Sequence, residues 1–152
     1  MPAPIRLDHL RVLVVDDEPD ALRLIAKVLD EAGAHVTLAA SGAEALEVLA
    51  AGARWQEGGG PEFLVSDLGM PAMDGFDLIR AVRSSGHSAK DLPAVALTAF
   101  AHKDYQRRAL LAGFQVHVPK PVDPHDLLAV VASLAGRTGR SSDALNRPRS
   151  LP

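Results

Sequence analysis

Hydrophobic positions along this chain of 152 residues alternate between two patterns. Short apolar runs occur at Leu10 to Val15, Val36 to Leu38, Phe63 to Val65, Ala94 to Leu97 and Val116 to Val118. They are too short for buried helices, and continuous apolar runs of this kind read as strands of a parallel sheet covered on both faces. Between them the apolar residues recur at helical spacing. Pro19 opens a helix with Leu22, Ile25, Val28, Leu29 and Ala32 on one face, closed by Gly33. Ser41 and Glu44 form a capping box ahead of Ala45, Leu46, Val48 and Leu49. Asp74 caps a helix carrying Phe76, Ile79 and Val82 that ends near Gly86. A fourth helix runs from about His102 to Leu111 and stops at Gly113, and Asp123 and Pro124 open a fifth with Leu127, Leu128, Val131 and Leu134. Strand and helix alternate five times, which implies right-handed crossovers and an open, doubly wound α/β sheet.

Two segments fall outside this alternation. Gly52 to Glu62, with three consecutive glycines before Pro61, reads as a loop at the sheet edge away from any site, with Trp55 as a cap over an apolar patch. Residues 136–152 lack an apolar period and read as a disordered tail, and residues 1–9 as a linker, which leaves 10–135 as one domain.

Four of the strands end in polar side chains suited to phosphoryl chemistry. The first ends in Asp16 and Asp17, the third leads through Ser66 to Asp67, the fourth ends in Thr98, and the fifth leads through Pro119 to Lys120. In a parallel sheet, ligands bind beyond the carboxyl ends of the strands, so these side chains would meet at one edge. Three carboxylates make a hard oxygen site suited to Mg2+, and without a cation their mutual repulsion would raise at least one pKa. Asp67, on the central run, is the expected nucleophile: a carboxylate can attack phosphorus once the transferred charge is neutralised. Thr98 would donate to a phosphoryl oxygen and Lys120 would supply a point charge.

Composition narrows the field further. A net charge of −3 gives no electrostatic footprint for nucleic acid or a membrane surface. Without cysteine there is no disulfide framework and no thiolate metal site. No apolar stretch reaches membrane-spanning length and the first ten residues lack an export pattern, so the expected location is cytoplasmic.

These residues resemble the receiver domain of two-component response regulators. The resemblance runs from about Leu10 to Leu134 and rests on Val14-Val15-Asp16-Asp17-Glu18, Asp67-Leu68-Gly69-Met70-Pro71 with Asp74-Gly75, Leu97-Thr98-Ala99, and Lys120-Pro121. It implies a flavodoxin-like (βα)5 fold with strand order 2-1-3-4-5 and a cis Lys120–Pro121 bond. It also implies a phosphoacceptor at Asp67, Mg2+ held by Asp16, Asp17, Asp67 and the backbone carbonyl of Gly69, and phosphoryl contacts from Thr98, Ala99 and Lys120. The implied partner is a histidine kinase or histidine phosphotransfer protein, with its docking involving the first helix. A second partner would bind the face formed by the fourth helix, fifth strand and fifth helix, on a monomer or weak dimer. The segments Arg6 to Leu10 and Lys120 to Asp123 look most like receivers at the ends of hybrid sensor histidine kinases. No DNA-binding segment is expected to follow.

Departures from the family pattern define the alternatives. His117 stands where receivers commonly carry Tyr or Phe, and it reads equally as a weakened, pH-sensitive switch ring or as a half-exposed strand histidine. Gly69 and Ala99 are small, which predicts an open site and a modest phosphoryl lifetime. His9, His35, His87, His102 and His125 fall at no ligand spacing and are assigned to the surface. A haloacid-dehalogenase-type phosphatase also uses an aspartyl phosphate, but its second carboxylate two residues on would be Gly69 here. A docking module independent of phosphorylation would not need all five polar residues.

Overall fold

The computed structural model describes residues 4–52, 60–99 and 103–136. Strands β1 (Arg11–Val15), β2 (His35–Ala39), β3 (Phe63–Asp67), β4 (Ala94–Thr98) and β5 (Val116–Pro119) alternate with helices α1 (Pro19–Glu31), α2 (Gly42–Gly52), α3 (Gly75–Ser84), α4 (Lys103–Ala112) and α5 (Pro124–Leu134). All strand pairs are parallel, in the order β2-β1-β3-β4-β5. Every residue of β3 and β4 is buried, as expected for central strands covered on both sides. Alternation along β1 sends Val12 and Val14 to one core and Leu13 and Val15 to the other. The first core is closed by α1 and α5 through Leu22, Ile25, Leu29, Leu127 and Val131; the second is closed by α2, α3 and α4 through Leu49, Phe76, Ile79 and Ala109.

The helix ends follow the local signals. Asp74 accepts from the Asp77 backbone N–H at 2.8 Å and the Asp77 side chain accepts from the Asp74 N–H at 3.3 Å, a complete capping box at the start of α3. Asp123 caps α5 through Asp126, with Pro124 in the first turn. At α2, Ser41 Oγ accepts from the Glu44 N–H at 3.1 Å, but the Glu44 carboxylate reaches the N–H of Ala40, one residue before the expected partner.

The expected linker at residues 1–9 needs correction at its inner end. Leu7 is fully buried in the α1/α5 core, and its N–H donates to Ala32 O at 2.7 Å. Its apolar side chain lies too far from the periodic segments for pattern alone to recruit it. Trp55, His102 and the tail from 137 onward lie outside the described residues.

Candidate functional site

Parallel pairing puts the carboxyl ends of β1, β3, β4 and β5 side by side, with Thr98 in register with Pro119 and Val15 with Ser66. Asp16, fully buried, and Asp67, at 6% exposure, stand at the tops of adjacent strands, while the Asp17 side chain is exposed beside them. Carboxylate oxygens of all three lie within 4.8 Å of one another. Lys120 reaches in from the end of β5, its Nζ 2.9 Å from Asp16 Oδ2 and 3.2 Å from Asp67 Oδ1. The Lys120 N–H donates to Thr98 O at 2.8 Å, and the Lys120–Pro121 peptide is cis. Asp16 Oδ1 accepts from the Glu18 N–H at 3.0 Å, which holds the side chain upward as the chain turns into α1. The resulting basin, about 350 Å³, is lined by Asp16, Asp17, Glu18, Asp67, Gly69, Ala99 and Lys120.

Electrostatics follow from this crowding. Burial, then the neighbouring Asp16 charge, raise the Asp67 pKa above its ordinary value, against the opposing pull of Lys120 and the Gly69 N–H. Burial acts to lower Lys120, but its hydrogen bond to Asp16 and the charges of Asp67 and Asp16 outweigh that and raise its pKa. The ammonium therefore stays charged and bridges two carboxylates. A compact set of carboxylate oxygens open to solvent on one side fits a hard divalent cation, which prefers oxygen ligands and retains water.

The second group of predicted residues is placed as follows. Thr98 is buried at the end of β4, and Ala99 after it is exposed at the basin. A Cβ added at Gly69 would meet nothing within 4 Å, so the rim of the basin is open at Gly69. His117 is half-buried on β5, in register with Ala96. Leu97 and Val118 both point into the α1/α5 core, so alternation puts Thr98 and His117 together on the opposite face, though His117 does not line the basin.

Three supporting residues were assigned no structural role from the sequence, although Gly75 belongs to the Asp74-Gly75 motif. Gly75 lies so close to the end of β3 that a Cβ would stand 2.5 Å from Asp67 O and 2.8 Å from Leu68 Cα. Its place after the capping aspartate was the only signal. Ala72, in the loop between β3 and α3, takes a left-handed φ of 65°, which no feature of an alanine announces. Arg83 ties the end of α3 to Gly113 O at 2.7 Å and Leu92 O at 2.7 Å, bracing β4 and β5 from below.

Comparison with known proteins agrees with the fold and gives the family. The family model for the response regulator receiver domain matches residues 12–132. An uncharacterized 14.6 kDa protein in the sodA1 3' region of Leptolyngbya boryana is 43% identical over 125 residues, covering 82% of this chain and 89% of that protein. The response regulator MprA of Mycobacterium avium (strain 104) is 36% identical over 135 residues, covering 89% of this chain; the chain spans only 55% of that relative's length. A putative response regulator from Chloroflexus aurantiacus J-10-fl superposes with a TM-score of 0.75 at 28% identity, covering 86% of this chain and 100% of that one. The chemotaxis protein CheY4 of Vibrio cholerae gives a TM-score of 0.71 at 28% identity, with 83% and 98% covered. This chain belongs to the receiver domain family of two-component response regulators. Among the described residues, no helix is long and apolar enough to cross a membrane.

Proposed function

We propose that the domain accepts a phosphoryl group on Asp67 from a phosphohistidine in an Mg2+-dependent reaction, and that the event alters a protein-binding surface. The observation that carries this reading is the convergence of Asp16, Asp67 and Lys120 within hydrogen-bonding distance, with Asp17 alongside. In the transfer, an Asp67 carboxylate oxygen forms the new bond to phosphorus as the P–N bond to the donor imidazole breaks, and the departing ring nitrogen takes a proton from solvent. Asp16, Asp17, Asp67 and the Gly69 carbonyl would hold Mg2+, which when bound neutralises charge on the phosphoryl oxygens. Lys120 then exchanges one carboxylate contact for a phosphoryl oxygen, and Thr98 with the backbone of Ala99 binds another. Movement of Thr98 is passed to its neighbour on the same sheet face, His117.

The donor docks beside the basin. A groove of about 480 Å³ between α1 and the Pro121–Val122 turn is lined by Ala21, Leu24 and, at its floor, the buried Ile25, next to Lys120, and Leu24 is 49% exposed. That apolar strip suits a helix of a histidine kinase or phosphotransfer protein. The face of α4, β5 and α5 is assigned to the responding partner, with the protein cytoplasmic, a monomer or weak dimer, and acting without nucleic acid or membrane. Arg6 to Leu10 and Lys120 to Asp123 support membership of a hybrid-kinase phosphorelay.

Incubation with acetyl phosphate and Mg2+, followed by intact mass, tests the proposal. One phosphoryl adduct is expected, absent when Mg2+ is chelated and absent in Asp67→Asn; with Gly69 and Ala99 leaving the acceptor open, it should decay well within hours. No adduct in the wild type would favour a docking module, and sustained phosphate release without an adduct would favour a phosphatase.

A further inference from the structure

At the opposite end of the sheet, His9, in the turn before β1, meets His35 at the start of β2. His9 Nδ1 lies 3.3 Å from His35 Nε2, with ring centroids 5.5 Å apart and planes inclined at 27°. Both side chains are exposed. The backbone builds this contact: Leu7 N–H donates to Ala32 O, His9 N–H to Gly33 O at 2.9 Å, and His35 N–H to Leu10 O at 2.8 Å. Residues 7–10 thereby fold over the turn between α1 and β2, and His9 takes a left-handed φ of 66°. Gly33, at φ 100°, permits the approach, because a Cβ there would collide with the Asp8 side chain and Arg6. The nearby cations are engaged by acidic partners: Arg6 pairs with Asp8 at 2.7 Å, and Arg11, in register with His35, pairs with Glu62 at 3.4 Å.

The spacing of the two ring nitrogens has a specific meaning. Two imidazole nitrogens bound at about 2.0–2.1 Å to one tetrahedral ion stand about 3.3–3.4 Å apart. We propose that His9 and His35 form a bidentate site for a borderline divalent transition ion of the Zn2+, Ni2+ and Cu2+ class. Imidazole favours these ions, whereas the carboxylate basin favours Mg2+. With the ion absent, one ring donates to the other; on binding, the donor ring moves its proton to its other nitrogen, and both freed lone pairs turn onto the metal. Small side-chain rotations suffice because both rings are exposed, and water completes the coordination shell. The ion would pin the segment before β1 to the start of β2 and stabilise the folded state by mass action. A five-residue strand separates the two sites by about 17 Å, so they load independently.

Zn2+ titration of the full chain in excess Mg2+, read by calorimetry and by the histidine ring NMR signals, tests this inference. The ring signals of His9 and His35 should shift and those of His125 should not. Loss of one of two ligands costs more than loss of an outer-shell partner, so His9→Gln and His35→Gln should each weaken Zn2+ binding by at least about tenfold. His125→Gln, an exposed position on α5, should titrate as the wild type. Unchanged His9 and His35 signals in the wild type at saturating Zn2+, or wild-type affinity in folded forms of both variants, would overturn the proposal.

Discussion

Asp67 carries its charge at a cost to the fold. Burial and the Asp16 carboxylate raise its folded pKa above the ordinary value of 3.8, so its ionised form is less stable in the folded chain than in the unfolded one. The sign is that of a raised acid: the destabilisation is absent below the ordinary carboxylate range and develops as pH rises through the folded pKa. Asp67→Asn should therefore raise the Tm of metal-free protein at neutral pH, and that advantage should vanish as pH falls to the ordinary carboxylate range. Mg2+ should raise the wild-type Tm and leave Asp67→Asn largely unresponsive. Thermal unfolding of both proteins across pH, with and without Mg2+, measures these effects; a lower Tm for Asp67→Asn at neutral pH would contradict the burial argument. At this scale the polar residues were readable because each ended an apolar run. The His9 and His35 pair was not, because its spacing of 26 residues becomes a contact only through strand register and the fold of residues 7–10.

Elements place these residues, and their ends matter most. The α3 capping box fixes where the helix begins, and the close approach of Gly75 to Asp67 O fixes how near that helix stands to Asp67. Asp74→Ala should cost about 1 kcal/mol through loss of the cap. Gly75→Ala should cost about 1–3 kcal/mol because the obstructing atoms are backbone at the end of β3, and it should also slow phosphorylation by acetyl phosphate, which Asp74→Ala should affect less. Denaturant unfolding paired with intact-mass time courses separates the two; equal phosphorylation rates in Gly75→Ala and wild type would show that the acceptor does not depend on this contact. Strand and helix identities were legible because β1, β3 and β4 each hold a run of at least three apolar residues, β5 keeps Val116 and Val118 around His117, and α1 and α3 keep an apolar face. β2 was read short: its ends, His35 and Ala39, extend beyond the apolar stretch because pairing with β1 recruits them. The shifted Glu44 bond at α2 depends on the local path of Ala40, which pattern does not carry.

For the whole molecule, one sheet divides two cores, and the acidic basin sits where four strand ends share an edge. The α/β class followed from alternation alone, but the strand order came only with the family resemblance, since apolar runs carry no information about neighbours. The inner boundary of the fold lies earlier than pattern suggested: Leu7 belongs to the core. Leu7→Ala should destabilise the protein by about 2–5 kcal/mol, as for other fully buried leucines, rather than have the near-zero effect expected of a linker. Denaturant unfolding decides between them.

The central claim, that Asp67 is the phosphoacceptor, is tested most directly by hydride trapping. Borohydride reduces an acyl phosphate to the alcohol, so a phosphorylated aspartate becomes homoserine and marks its position in a peptide map. After acetyl phosphate and Mg2+, homoserine should be found at position 67 alone and should disappear when Mg2+ is chelated. Homoserine at position 16 or 17, or none at 67 in protein that carries the phosphoryl adduct, would contradict the account.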